Sequence, residues 1–231
     1  MARESVPGGE FDAACQDRDV PSNRWNLIVY RAWAPLYDGL LERLFRPGRE
    51  AAAQALALRS GERVLLVGVG TGLDLPLLPP GVTGLGIDLS PSMLAHARRR
   101  APATVDLHCG DAAVLDVAMA PFDAAILNLV LSVVPDPAAV LSQTMRALRP
   151  GGRAVAFDKF APEGQPVAGS RRVLSAMSSV FGTTIDRRLG DLIVGQSCRV
   201  VSNEPSIFGG QYRVVLLRRT DEPWPNGDRR A

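Results

Sequence analysis

The chain has 231 residues, 46% of them hydrophobic and 22% charged, which suits one α/β domain with a full core. A net charge of only +2 supplies no global field for nucleic acid, and no apolar run approaches the length of a membrane span. Cys15, Cys109 and Cys198 are scattered, which argues against a disulfide framework and, without Cys/His spacing, against a zinc site. Residues 1–21 are polar and read as a mobile segment. They lack the apolar region of a signal peptide, so a cytoplasmic location is the expectation. Residues 22–46 gather Trp25, Tyr30, Trp33, Tyr37 and many aliphatics, and Pro35 divides them into two helical pieces. This segment reads as helices packed on the core by their aromatics. Arg24, Arg31, Arg43, Arg46 and Arg49 leave peripheral contact with an anionic membrane as an alternative.

Gly48 to Leu58 is an alanine-rich helix by propensity. The stretch from Arg63 to Gly72 then organises the chain. Its β-branched apolar run predicts a strand buried on both faces. Gly68, Gly70 and Gly72 follow at every second position, where the backbone can turn sharply and approach a ligand. A short helix over Leu73 to Leu78 is stopped by Pro79-Pro80, with Asp74 in its first turn. Thr83 to Asp88 is a second strand that ends in a carboxylate about 20 residues after the glycine loop, the place for an acid that binds ribose hydroxyls. Ser90 and Pro91 open a helix to Ala101, with Arg98, Arg99 and Arg100 in its last turn.

Further strands are predicted over Val105 to His108, Phe122 to Asn128 and Arg153 to Asp158, with helices over Ala112 to Met119 and Pro137 to Leu148. Residues 161–195 read as a helical insertion that covers the substrate. Its helices span Ser170 to Phe181 and Asp186 to Val194, and its Arg171, Arg172, Arg187 and Arg188 are candidate anion contacts. An antiparallel pair over Cys198 to Asn203 and Gln211 to Arg218 ends the domain, and residues 220–231 read as a mobile tail. Lys159 is the only lysine in the chain.

Val-Gly-Val-Gly-Thr-Gly at 67–72, Gly-Ile-Asp-Leu-Ser-Pro-Ser-Met-Leu at 86–94, Cys-Gly-Asp-Ala at 109–112 and Leu-Arg-Pro-Gly-Gly-Arg at 148–153 occur in an order that resembles the class I S-adenosylmethionine-dependent methyltransferases. The resemblance is nearest to enzymes acting on phosphatidylethanolamine and on quinone precursors, and it covers residues 22–219 as a single domain. It implies an α/β, Rossmann-like fold with a seven-stranded, mostly parallel sheet and an antiparallel last strand. It also implies S-adenosylmethionine as methyl donor, S-adenosylhomocysteine as product, and no metal.

By the same resemblance Gly68, Val69, Gly70, Thr71 and Gly72 approach the donor and Asp88 takes the ribose. Leu89, Met93, Gly110 and Ala112 frame the adenine, whose amino group Asp111 accepts. Asn128 and Leu129 lie near the sulfonium, and residues 22–46 form a helical lid that Tyr37 closes over it. Tyr30, Trp33, Ser132 and Lys159 belong to the acceptor pocket. No loud catalytic residue is visible; Tyr30, Tyr37 and Asp158 are the candidates. Relatives usually carry an acid two places before the first glycine, and here that place is Leu66.

The transferred methyl leaves a neutral thioether, so alignment of the nucleophile and exclusion of water carry the chemistry. The expected acceptor is a small apolar or amphiphilic molecule. N-methylation of a lipid amine or a natural product is slightly favoured over C- or O-methylation of a quinone-type acceptor. An NAD-binding oxidoreductase is the alternative from another class, although its fingerprint wants a glycine at Leu73. A non-catalytic cofactor-binding protein is the third reading.

Overall fold

The computed structural model describes residues 42–114, 121–161, 187–222 and 224. Seven strands form one sheet in the order β3-β2-β1-β4-β5-β7-β6. They are β1 (Arg63–Val67), β2 (Thr83–Asp88), β3 (Val105–Cys109), β4 (Phe122–Asn128), β5 (Leu148–Lys159), β6 (Cys198–Pro205) and β7 (Tyr212–Arg219). The first five pair in parallel, and β7 runs antiparallel to both β5 and β6. The expected sheet, with its reversed last strand, is therefore present. Central strands β1 and β4 are buried on both faces, as parallel strands between helical layers must be. The order reverses at β1 and β4, so the loops after these two strands diverge and leave a crevice at their C-terminal ends.

Four helices are described: α1 (42–56), α2 (Pro91–Ala97), α3 (Pro137–Ala147) and α4 (Leu189–Ile193). α1 begins earlier than the alanine-rich run predicts and passes through Pro47. Two contacts oppose the break that proline favours. Arg46 and Glu50 pair at 2.7 Å across it, and Gly48 lies flat on Phe157, where a Cβ would fall 2.1 Å from the ring. Ser90 caps α2 through Met93 N–H, with Pro91 at the first position, as read. α2 is shorter than expected and leaves Arg98 to Arg100 in a turn. The helix predicted over Leu73 to Leu78 is only one 3-10 turn, Leu75–Leu77, because Pro76, Pro79 and Pro80 remove the amides that would extend it. Cys198 is free and buried, and burial pushes its thiol up to about 11.

The C-terminus of α1 is held by one side chain. Ala57 takes the left-handed conformation at φ 48, which leaves the last carbonyls of the helix pointing outward. Arg153 on β5 donates to Leu56 O at 2.6 Å and Ala57 O at 2.8 Å, and grips both oxygens of Glu62 at 2.8 Å. The hydrogen bonds from Arg153 hold the Glu62 carboxyl down at about 2. Stability from this group is present above the ordinary glutamate range and lost as pH falls through the folded value. Arg153→Met should cost about 2–3 kcal/mol in denaturant titrations at neutral pH. It should also flatten the loss of stability between pH 4.5 and pH 2 relative to the parent.

Candidate functional site

The crevice at the C-terminal ends of β1, β2 and β4 is built on the glycine loop. Gly68, Gly70 and Gly72 all have positive φ, at 62°, 55° and 85°, a region costly to residues with a Cβ. Their surroundings differ. A Cβ at Gly68 would fall 2.4 Å from Val130, and one at Gly72 2.9 Å from the backbone of Ala97 on α2. At Gly70 it would meet nothing nearer than Gly68 O at 3.9 Å. Gly68 and Gly72 are thus glycine for packing, whereas Gly70 exposes bare backbone to the crevice.

The loop is pinned from three sides. Gly70 N–H donates to Asp88 Oδ2 at 2.8 Å, and Ser90 N–H to Asp88 Oδ1 at 2.9 Å. Val69 N–H reaches Ile87 O at 2.9 Å. Arg100 donates to Thr71 O at 2.8 Å, so this arginine grips the loop instead of merely offsetting a helix dipole. Burial pushes the Asp88 carboxyl upward, and the two backbone donors oppose that shift. Gly110 N–H donates to Asp88 O at 3.0 Å, which brings the end of β3 to the same rim. Asp111 accepts from Ala113 N–H at 2.9 Å and so turns the chain at Ala112. Leu89 and Met93 lie half-buried on the same side.

Asn128 is 6% exposed and ends β4. Its Nδ2 donates to Asp74 Oδ1 at 2.8 Å, and its Oδ1 accepts from Phe157 N–H at 3.2 Å. Arg49 of α1 completes the cluster, 2.6 Å from Asp74 Oδ2. Asp74 therefore does not cap its turn through its side chain; it bridges α1 and β4. A cleft of about 230 Å³ opens beside this cluster, lined by Arg49, Ala53, Leu77, Ile126 and Asn128 among others. Leu66 is 1% exposed in the core and brings no charge.

The acceptor side is the 129–134 loop. Leu129 sits at φ 60 and donates to Phe157 O at 2.8 Å. Asp158, fully buried, accepts from Ser132 N–H at 3.0 Å and Lys159 N–H at 2.8 Å. Arg187 donates to Leu131 O, and to Val134 O at 2.8 Å. Asp158, a candidate proton acceptor by sequence, is thus enclosed as the anchor of this loop. Burial pushes its carboxyl upward. Lys159 does not pair with it; the ammonium lies 5.4 Å from the Tyr212 ring, and burial lowers its pKa. Arg187, a candidate anion contact, holds loop carbonyls instead. Arg46 and Arg49, candidate lipid contacts, pair with Glu50 and Asp74. Tyr30, Trp33, Tyr37, Arg24, Arg31, Arg171 and Arg172 lie outside the described residues.

Sequence reasoning missed the roles of Arg49, Arg100, Arg153 and Arg187. Their partners lie 25 to 97 residues away along the chain, so no local pattern reveals these contacts.

The site fits an S-adenosyl nucleoside on its own terms. Gly70 offers open backbone beside a half-buried carboxylate, and Arg49 Nε has no hydrogen-bond partner among the described residues. A seven-stranded sheet of this order, with a glycine loop and an acid at the β1/β2 rim, defines a Rossmann-like methyltransferase. The comparisons with known proteins agree. A family profile described as "Methyltransferase domain" matches residues 65–156. A phosphatidylethanolamine N-methyltransferase of Cereibacter sphaeroides is 33% identical over 195 residues, covering 82% of this chain and 95% of that protein. A demethylmenaquinone methyltransferase of Beutenbergia cavernae is 33% identical over 159 residues, covering 68% and 60%. The fold of magnesium protoporphyrin IX methyltransferase from Synechocystis, solved with bound S-adenosylhomocysteine, superposes with a TM-score of 0.62 at 19% identity over 87% of this chain and 99% of that one. The chain belongs to the class I S-adenosylmethionine-dependent methyltransferases, and it is an enzyme of that family.

Two glycine variants separate packing from binding. Gly70→Ala should fold with a loss of about 1 kcal/mol, set by its positive φ, yet weaken S-adenosylhomocysteine binding more than tenfold by calorimetry. Gly68→Ala should lower the unfolding midpoint further, and Val130→Ala in the same chain should restore part of it.

Proposed function

We propose that the enzyme methylates the nitrogen of a small amphiphilic acceptor, an amine-bearing lipid or a natural product of similar character. The observation that carries this reading is the enclosure of Asp158. Among the described residues, no carboxylate on the acceptor side is open to a reacting atom, and a neutral amine needs no strong base. The loop that would face the acceptor is Leu129-Val130-Leu131-Ser132-Val133-Val134, an aliphatic wall fixed by Asp158 and Arg187. Similarity to a phosphatidylethanolamine N-methyltransferase along nearly the whole of that relative supports the same reading.

The bound donor supplies an activated methyl on a sulfonium. The chain's own part is to hold the donor on the glycine loop with Asp88 at the ribose, to exclude water with the aliphatic loop, and to align the nucleophile. Tyr30, Trp33 and Tyr37 are proposed as the lid and acceptor contacts, and residues 22–46 as the segment that would meet a membrane surface bearing a lipid acceptor.

Carbon methylation of a quinone-type acceptor is the second reading. Lys159 favours it. A half-buried amine with a lowered pKa at the end of β5 is a group that could take a proton from an activated carbon. Methyl transfer from labelled S-adenosylmethionine to phosphatidylethanolamine vesicles, to a panel of free amines and to a demethylmenaquinone should label amines first. That activity should survive Lys159→Met within about threefold. Labelling confined to the quinone, and abolished by Lys159→Met, would establish the second reading instead.

A further inference from the structure

We propose that Phe208, in the turn between β6 and β7, receives the apolar part of the methyl acceptor. The inference rests on the reading of an amphiphilic acceptor and says where its chain lies. Phe208 is 46% exposed and takes the left-handed conformation at φ 53, a region that a bulky side chain seldom enters. A turn that only reverses the chain has glycine for such positions, as at Gly209 and Gly210, with φ of 64° and 83°. The ring at 208 is therefore kept at a cost in backbone strain. Tyr212, the first residue of β7, pairs with Lys159, the last of β5, so the turn stands at the C-terminal end of β5. That is the end of the sheet at which the donor crevice opens. Ser206 N–H donates to Tyr212 O at 2.8 Å and Gly210 N–H to Ile207 O at 3.2 Å, which fixes how the ring is presented.

Phe208 is the outer end of an aromatic row. Its ring centroid lies 6.0 Å from that of Phe45 on α1 and 5.6 Å from that of Tyr212, and Tyr212 in turn lies 5.6 Å from Phe157. Phe157 and Tyr212 are buried, Phe45 is half-buried and Phe208 is open, so the row runs from the core to solvent. Its inner end adjoins the donor crevice. Phe157 N–H donates to Asn128 Oδ1 at 3.2 Å, and Phe157 O accepts from Leu129 N–H at 2.8 Å. An acceptor with its nucleophile over the end of β4 and its apolar part trailing past β5 meets this row. Charge decides which part that is. The Lys159 ammonium lies 5.4 Å from the Tyr212 ring, where it occupies the negative ring face and repels a second cation. The open face of Phe208 thus suits a neutral alkyl or prenyl chain, not the amine end of the acceptor.

The test varies the acceptor's chain and keeps its head. Glycerophosphoethanolamine has no acyl chain, and dihexanoyl phosphatidylethanolamine carries two short ones and is used as a monomer. Phe208→Gly removes the ring and relieves the positive φ, so its unfolding midpoint should stay within about 3 °C of the parent. Its kcat/KM for the dihexanoyl acceptor should fall roughly tenfold, through KM, while that for the chain-free acceptor and the affinity for S-adenosylhomocysteine stay within about twofold. Phe208→Leu, which keeps apolar area, should retain most of the activity on the dihexanoyl acceptor. Equal loss on both acceptors, no loss on either, or a parent that uses both equally well would overturn the proposal. A loss confined to long-chain phosphatidylethanolamine in vesicles would make Phe208 a membrane contact and overturn it as well. Should the glycine variant fold poorly, Phe208→Asn, which tolerates the left-handed region, takes its place. If the parent methylates no amine, the reading of N-methylation falls, and the comparison passes to demethylmenaquinones of short and long prenyl chain. There Phe208→Gly should weaken the long-chain acceptor alone, and an equal effect on both would refute the proposal.

Discussion

The hydrogen bond from Gly70 N–H to the Asp88 carboxylate, 2.8 Å long, ties the end of β1 to the end of β2 and sets the shape of everything above the sheet. Burial raises the pKa of this carboxyl, and its two backbone donors, Gly70 and Ser90, oppose that shift. The same two donors fix where the loop turns and where α2 begins. Gly68 then lies against Val130, and Gly72 against Leu75 and Ala97. The one glycine left bare is the one beside the acid.

Around this bond, arginine does the holding. Arg100 grips Thr71 O, Arg187 grips the 131–134 carbonyls, Arg153 closes α1 against Glu62, and Arg49 meets Asp74. The guanidinium suits these positions because its planar fork reaches several acceptors at once and keeps its charge when half-buried. An enzyme that transfers a methyl from a sulfonium gains most from such a frame. The leaving group needs no proton, so precision of placement outweighs acid–base machinery. The absence of a loud catalytic residue in the sequence and the abundance of clamps in the fold express the same requirement.

Much of the frame was legible beforehand. The apolar run at β1, the acid ending β2, the Ser90-Pro91 start and the reversed last strand each stand where local patterning puts them. Local signals failed at three places, for physical reasons. The alanine-rich helix reads as starting at Gly48, yet α1 begins at residue 42 and passes through Pro47, with Gly48 packed on the ring of Phe157 from a distant strand. Leu73 to Leu78 reads as a helix, yet its prolines leave one turn and open a cleft. Asp158 reads as a free carboxylate on the ligand side, yet it faces inward and anchors Ser132. Its place at the end of a strand pointed to the ligand side, but only the neighbouring loop decided that the carboxylate was enclosed.

The sequence by itself determined the class of fold and the bend of the glycine loop, since both depend on backbone freedom and on residues close together in the chain. The tertiary structure alone decided which charged groups are spent on holding the frame and which retain bonding capacity. Arg49, Asp74 and Asn128 are 25 and 54 residues apart along the chain, and no periodicity spans such distances. Their meeting follows from the order of the strands and from how closely α1 packs on the sheet.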